Sequence, residues 1–219
     1  MGQITVLGLG PGAPHDLTLE AWRILEDADE IWLRTYHHPV VAGFPEGLDV
    51  HAFDEVYEHA ASFAEVYETI VERILTLGAR EQGVIYGVPG HPLVGESTVV
   101  RILEVADSDS LSVRVVGGLS FVEPTLAALA LDALDGLQIF DALDLISLNH
   151  PPLNPDFPAL IGQVYNRQVA SELKLVLMNQ YGDDHPTALV DAAGTERERV
   201  DSLPLYQIDR QPVSPLTSL

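Results

Sequence analysis

The stretch "GVIYGVPGHPLVGESTVVRILEVAD", residues 83–107, contains a strand, a loop and a helix in one continuous unit. The apolar run "GVIYGV" is typical of a buried strand, and "LVGESTVVRILEVAD" has apolar residues at helical spacing. Between them, Pro89 and Pro92 remove backbone donors, and the glycines leave the main chain uncovered. A rigid loop of this composition does not pack in a core. We expect it to offer its main-chain groups to a ligand.

The same alternation continues on both sides of this unit. "QITVLGLG" and "EIWLRT" predict strands before it, and "LSVRVV" predicts a strand after it. The intervening segments "LTLEAWRILEDAD", "SFAEVYETIVERILTLG" and "FVEPTLAALAL" predict helices, with Thr18 as an N-cap and a capping box from Ser62 to Glu65. Strands that alternate with helices indicate an α/β fold whose mainly parallel sheet has helices on both faces.

The second half of the chain predicts a different sheet. "ALDLISL" is interpreted as a strand and "FPALIGQVYNRQVA" as a helix. Four short strands are predicted after them: "LKLVLMN", "TALVDAA", "ERVDSLPL" and "LYQID". Closely spaced strands favour a mixed sheet with antiparallel members, so we predict two α/β domains, 1–117 and 118–219. The final "SPLTSL" is interpreted as the start of another strand, and we therefore expect the chain to belong to a longer polypeptide.

Composition excludes several classes of function. The chain of 219 residues has no cysteine, which rules out disulfides, thiolate nucleophiles and Cys-ligated zinc. It has 33 acidic and 11 basic residues, a formal net charge of −22, and no basic run. Because phosphate backbones are bound through clustered Lys and Arg, we expect no nucleic-acid partner. The N-terminus lacks the features of a signal peptide and no apolar stretch is long enough for a membrane span, so a cytoplasmic protein is expected.

Two motifs suggest chemistry that their context does not favour. "GLGPGA", residues 8–13, matches the dinucleotide fingerprint in letters, but the helix begins too late for its glycines to cap it. A structural turn or a wall for another flat cofactor are the alternatives. The pairs Glu65/Glu68 and Glu104/Asp107 could bind magnesium, but in so acidic a chain they are better interpreted as solvated helix faces. The eight histidines show no metal-binding spacing, and we predict no metal site.

Several ordered motifs resemble the tetrapyrrole (corrin/porphyrin) methylase family. "VLGLGPGAPHDLT" resembles its N-terminal loop, "YGVPGHPLVGE" its second glycine-proline loop, and "VVGGLSFVEPTLAALALD" its third signature. "LRTYHHPVV" and "QVYNRQVASELKLVLMNQYGDDHP" are more narrowly similar to the YabN-like methylase domain of MazG-type proteins. The resemblance covers essentially the whole chain. It implies S-adenosylmethionine bound in a cleft between the two α/β domains.

Carried over by position, the resemblance nominates seven cofactor-binding residues. They are Pro11, Val88, His91, Ser120, Phe121, Met178 and Ala193. Much of the family has Gly-Asp-Pro in the second loop, and Val88 stands here in place of the aspartate. The narrower subgroup also has valine there, so the resemblance implies that the cofactor is still bound, without the aspartate's carboxylate. Outside the family pattern, Phe121 and Met178 would be interpreted as ordinary core residues.

The resemblance implies a methyltransferase that uses S-adenosylmethionine, with an unknown small-molecule substrate. His38, His91 and His150 are candidates for a general base, because histidine titrates near neutral pH. The alternative is a non-catalytic ligand-sensing or assembly module, attached to a MazG-type nucleotide pyrophosphohydrolase beyond Leu219. The resemblance also implies a homodimer. The helices in 62–78 and 124–134 carry more apolar residues than one sheet face needs, which favours an apolar interface.

Overall fold

A computed structural model describes residues 2–60, 62–106 and 111–219, and of Phe63 only the backbone. The chain divides into two compact units, Met1–Ser120 and Phe121–Leu219. That the chain consists of two independently folding domains, with a boundary at residues 117–118, stays a prediction. No helix within the described ranges has both the length and the apolar composition that crossing a bilayer requires.

The first unit contains a sheet of five parallel strands in the order β3-β2-β4-β1-β5. In chain order its elements are β1 Gln3–Gly8, α1 Leu19–Glu26, β2 Glu30–Leu33, β3 Asp49–Ala52, α2 Asp54–His59, α3 Phe63–Gly78, β4 Val84–Val88, α4 Ser97–Ala106 and β5 Ser112–Val116. The predicted mainly parallel sheet is confirmed. Because β1 lies between β4 and β5, the loops that follow these three strands are neighbours at the carboxyl edge.

Apolar residues on both faces of the strands explain why helices cover the sheet on both sides. Ile4 and Val6 of β1 belong to a buried cluster with Ile70 of α3 and Ile102 of α4. Leu7 belongs to a second cluster with α1 and β2. The predicted N-caps are also present, since Thr18 accepts a bond from Ala21 N at 3.1 Å and Ser62 accepts one from Glu65 N at 3.3 Å.

The second unit has a two-stranded parallel sheet and a three-stranded antiparallel sheet, so both kinds of strand pairing that were predicted for this half are present. Its elements are α5 Val122–Leu129, β6 Gln138–Asp141, α6 Ala142–Ile146, β7 Ala159–Gly162, α7 Arg167–Leu177, β8 Pro186–Asp191, β9 Arg199–Pro204 and β10 Thr217–Ser218. β6 and β7 pair in parallel, while β8 pairs antiparallel with both β9 and β10. Leu219 exchanges backbone bonds of 2.7 and 2.9 Å with Ile161, which places the last residues between β7 and β8.

Four predicted elements of this half are wrong. "ALDLISL" forms helix α6, because Asp141 caps it by accepting a bond from Leu143 N at 2.7 Å. "FPALIGQVYNRQVA" contains β7 before its helix, which starts only after the cap Asn166. "LKLVLMN" is the end of α7, whose apolar residues pack against one core, and "LYQID" lies in the 3-10 helix Leu205–Arg210. In the three segments that were predicted as strands but are helical, packing of their apolar residues in the core outweighs local β propensity.

Candidate functional site

The loops after β1 and β4 are joined directly through their main chains. Gly10 N donates to Gly90 O at 3.2 Å, and Gly90 N donates to Gly10 O at 2.8 Å. Both glycines have positive φ angles, 74° and 69°, a conformation that most side chains disfavour. Leu9 N also donates to Val88 O at 2.9 Å. The two glycine-proline loops therefore form one continuous backbone surface at the carboxyl edge of the sheet.

A third loop, Gly117–Ser120 after β5, lies against the same place. A Cβ atom built on Gly118 would lie 2.5 Å from Gly90 O, far inside van der Waals contact. A Cβ atom on Gly8 would lie 2.6 Å from Gly118 N. Only glycine permits this approach of three main chains. We call residues 9–18, 89–96 and 117–120 the glycine edge.

The glycine edge brings together the predicted site residues of the first unit. Pro11 directly follows Gly10, while Val88 is fully buried and directly precedes the second loop. Ser120 is 2% exposed, and its Cα lies 3.9 Å from the Cβ position of Gly90. His91 is half-buried, with its Nε2 atom 3.3 Å from the Cβ position of Gly117. The structure thus places Pro11, His91 and Ser120 in adjacent loops and Val88 at the end of β4, next to them.

The three nominated residues of the second unit lie on separate elements. Phe121 is the N-cap of α5, and its ring packs 2.8 Å from the Cβ position of Gly162. Met178 is the C-cap of α7 and packs against the core of that unit, so its placement at a strand end is wrong. Ala193 is half-buried and lies after β8, beside Ala192, which has a φ of 52°. Their role in cofactor binding stays a prediction.

The three histidines considered as bases differ in their surroundings. Nδ1 of His91 accepts a bond from Leu93 N at 3.1 Å, so the neutral ring carries its proton on Nε2 and is a donor there. His150 is exposed. His38 is 9% exposed and its Nδ1 has no partner among the described residues. Burial lowers the pKa of His38, opposed by a hydrogen bond with the Gly10 backbone and by the charge of Asp16.

A buried polar network beside the glycine edge was missed by the sequence analysis. Nη1 of Arg34 lies 2.6 Å from Oε2 of Glu96, whose side chain is 2% exposed. Nε of Arg34 donates to the hydroxyl of Tyr57 at 2.9 Å, and Oε1 of Glu96 accepts from the hydroxyl of Thr98 at 2.7 Å. Arg34 directly follows β2, and Glu96 ends the second loop. A charged residue directly after a buried strand was the one available signal.

A cavity lies elsewhere, inside the second unit. It has a volume of about 400 Å³ and no Asp, Glu, Lys or Arg in its lining. Its walls include Ala159 and Leu160 of β7 and Pro186 to Ala188 of β8, next to Leu219. The cavity therefore lies in line with β10, between β7 and β8. Its lining is mainly apolar, and Tyr181 and His185 are among its few polar side chains.

No metal-binding group of three or more His, Cys, Asp or Glu side chains is present in residues 2–60, 62–106 and 111–219. Of the two carboxylate pairs considered for magnesium, Glu65 and Glu68 are exposed on α3. Asp107 of the other pair lies outside the described residues. The site therefore rests on main-chain groups and the Arg34 network rather than on clustered ligands.

Comparison with known proteins identifies the family of this chain. The sequence profile of the tetrapyrrole (corrin/porphyrin) methylases matches residues 3–209. The chain belongs to the tetrapyrrole methylase family. Members of this family use S-adenosylmethionine as the methyl donor.

Two curated relatives match, and the chain spans only about two fifths of the length of each. The uncharacterized protein YabN of Bacillus subtilis (strain 168) is 38% identical over 214 residues, which are 95% of this chain and 42% of YabN. The methyltransferase/borosin cyclic peptide precursor sveMA of Serendipita vermifera subsp. bescii is 26% identical over 170 residues, 74% of this chain and 40% of the relative.

Solved structures confirm the fold of this family member. A uroporphyrin-III C-methyltransferase from Thermus thermophilus superimposes with a TM-score of 0.77 at 22% identity, over 100% of this chain and 93% of the other. The same enzyme complexed with S-adenosyl homocysteine gives 0.68 at 20% identity, over 99% and 95%. The methyltransferase CobJ gives 0.71 at 18% identity, over 100% and 92%.

Proposed function

We propose that the protein is a methyltransferase that binds S-adenosylmethionine on the glycine edge. One observation carries the proposal: Gly10, Gly90 and Gly118 hold three neighbouring loops together through main chain alone. Such a surface lets backbone amides and carbonyls approach a ligand with no side chain in the way. Open α/β sheets bind ligands at the carboxyl ends of their strands. Membership of the tetrapyrrole methylase family supports the same donor.

The charge of the site suits this donor. S-adenosylmethionine carries a net positive charge at neutral pH, and the glycine edge carries Asp16 and no lysine or arginine. When bound, the donor supplies an activated methyl group on its sulfonium. The protein then has to orient the two reactants and exclude water. Val88 offers an apolar buried wall for this, and Nε2–H of His91 offers a hydrogen-bond donor.

A thermal-shift comparison tests the proposal. S-adenosylmethionine and S-adenosylhomocysteine should each raise the melting temperature in a saturable manner, because a ligand that binds only the folded state stabilises it. NAD should leave the melting temperature unchanged, because the first helix begins too far from "GLGPGA" to receive a pyrophosphate. If NAD raised the melting temperature and the two sulfur compounds did not, the protein would be a dinucleotide-binding protein rather than a methyltransferase.

The charge pattern also bears on the methyl acceptor. Segments 9–18, 34–48, 89–96 and 117–120 contain no lysine, and Arg34 is their single arginine. Its charge is already matched by Glu96 at 2.6 Å. A polycarboxylate tetrapyrrole or an RNA would need several free cations there. We therefore propose a small acceptor without clustered carboxylates or phosphates.

A second candidate function is the ligand-sensing or assembly module of a MazG-type pyrophosphohydrolase. The observation that favours it is Val88, which replaces the aspartate of the family loop with a fully buried apolar side chain. Incubation with methyl-labelled S-adenosylmethionine and fractionated cell extract separates the two. Transfer of label to a small molecule supports the enzyme, whereas binding of the donor without transfer to any fraction supports the module.

Assembly as a homodimer and a cytoplasmic location stay predictions. The structure changes which surface would form the dimer. α3 buries Val66, Ile70 and Ile74 in the core of the first unit, so its apolar face is already used. Exposed apolar side chains lie instead on the segment after α5, where Leu134 is 94% exposed. We propose this segment as the centre of the interface, because apolar contacts would have to outweigh the repulsion of two strongly acidic chains.

A further inference from the structure

Glu96 has a carboxyl group in an unusual, buried place. It is 4% exposed and ends the loop that contains Gly90 and His91. A buried carboxylate is costly unless it is paired and hydrogen-bonded. Here Arg34 meets one of its oxygens at 2.6 Å, while the hydroxyl and the backbone N–H of Thr98 reach the other at 2.7 and 3.4 Å. The carboxylate is therefore fully satisfied within the protein.

Arg34 is anchored as firmly as its partner. Its backbone N–H donates to Gly87 O at 3.0 Å, which fixes it against β4. Its guanidinium bonds the hydroxyl of Tyr57 and lies 5.6 Å from the ring centre of Tyr67. Burial lowers the pKa of Arg34, but the charge of Glu96, the interaction with Tyr57 and the hydrogen bonds to both together raise the pKa above its ordinary value. Arg34 therefore stays cationic.

The network continues into the sheet. Because the single hydroxyl hydrogen of Thr98 goes to Glu96, the hydroxyl of Tyr86 at 3.0 Å must be the donor to Thr98. Burial raises the pKa of Tyr86, which keeps that donor protonated. Arg34 after β2, Tyr86 in β4 and Thr98 in α4 thus all hold Glu96. Both ends of the loop 89–96 are fixed: Gly90 is bonded to Gly10, and Glu96 is held by this network.

We propose that Arg34 and Glu96 are positioning residues for the donor, acting through the loop between Pro89 and Glu96. Their ion pair holds that loop in the shape in which its main-chain groups meet S-adenosylmethionine. This inference rests on the proposed function. It assigns a functional reason to a buried ion pair whose contribution to stability alone need not be favourable.

The test is isothermal titration with S-adenosylhomocysteine, with thermal unfolding measured in parallel. Arg34→Met should weaken binding at least about tenfold, because loss of the pair displaces the loop, and it should also lower the melting temperature. The double variant Arg34→Met/Glu96→Gln removes the buried unpaired charge. It should recover most of the melting temperature but not the affinity. Arg34→Lys, which keeps the charge, should recover part of the affinity.

Arg73→Met is the matched control, because Arg73 pairs with Glu55 at 2.8 Å on the exposed surface of α2 and α3. Its affinity should equal that of the unaltered protein. A double variant that is both stable and within about twofold of the unaltered affinity would overturn the positioning role. The positioning role would also be overturned if, across the variants, the loss of affinity were proportional to the loss of melting temperature. If the unaltered protein itself fails to bind, the proposed function falls, and this inference falls with it.

Discussion

Gly10 and Gly90 exchange two backbone hydrogen bonds, of 3.2 and 2.8 Å, although they follow different strands of the parallel sheet. This bridge extends the pairing of β1 and β4 by one antiparallel step into the loops. It leaves no room for side chains where Gly118 packs against it. The shape of the glycine edge is therefore set by main chain, and its variants make direct tests.

Gly118→Ala should damage both stability and donor binding. Its Cβ atom would lie 2.5 Å from Gly90 O and 2.9 Å from the carbonyl carbon of Gly8, so the loops must separate. We expect a loss of about 1–3 kcal/mol in the free energy of unfolding, as for overpacking elsewhere, measured by urea denaturation. Gly182→Ala is the control, because nothing lies within 4 Å of its Cβ position. Equal stability of the two variants would contradict the packing described.

His38 should make stability depend on pH below its ordinary pKa. Burial lowers the pKa in the folded protein from 6.5, so the unfolded chain takes up the proton first as pH falls. Stability should therefore drop between about pH 6.5 and the lower folded value. His38→Gln should reduce this slope in urea unfolding experiments, whereas the exposed His15→Gln should not. Parallel slopes for both variants and the unaltered protein would show that His38 is not buried as described.

Polycarboxylate tetrapyrroles should not bind. Uroporphyrin III is a stable probe of this class, and its binding can be followed by quenching of tryptophan fluorescence. We expect no saturable quenching, because Arg34 is already neutralised by Glu96. Double-stranded RNA should likewise fail to bind in filter assays. Saturable uroporphyrin binding that weakens steeply with added salt would show a basic pocket and contradict the proposed acceptor class.

Leu134→Glu should convert the expected dimer to a monomer. The side chain is 94% exposed, so the substitution costs little in an isolated chain but buries a charge in an apolar interface. Sedimentation equilibrium should give a dimer for the unaltered protein and the chain mass of 23.8 kDa for the variant. A single species at the chain mass for both proteins would rule the dimer out.

The parallel sheet of the first unit could be predicted because its central strands β1 and β4 are apolar runs. β3, "DVHA", was missed because this short edge strand has no residue that is fully buried. In the second half, "LKLVL" was predicted as a strand from its composition. It is helical because Leu173 and Leu177 lie on one face and pack in the same core. The spacing of apolar residues along the whole of α7, counted from its N-cap Asn166, indicates a helix.

The candidate site was likewise only partly predictable from the sequence. The glycines and prolines of its loops are visible in sequence, because their conformational properties are local. The ion pair between Arg34 and Glu96 joins residues 62 positions apart, and only the order of strands brings them together. The packing of Gly118 against Gly8 and Gly90 likewise depends on β1 lying between β4 and β5.

Direct titration of the donor tests the central claim. Isothermal titration of the unaltered protein with S-adenosylmethionine and with S-adenosylhomocysteine should give one saturable site per chain for each compound. When salt is added, S-adenosylmethionine should lose more affinity than S-adenosylhomocysteine, whose net charge is zero, because the acidic surroundings favour the cationic donor. Gly118→Ala should weaken both. Absence of heat for either compound at millimolar concentration, with the protein folded, would contradict a donor site on the glycine edge.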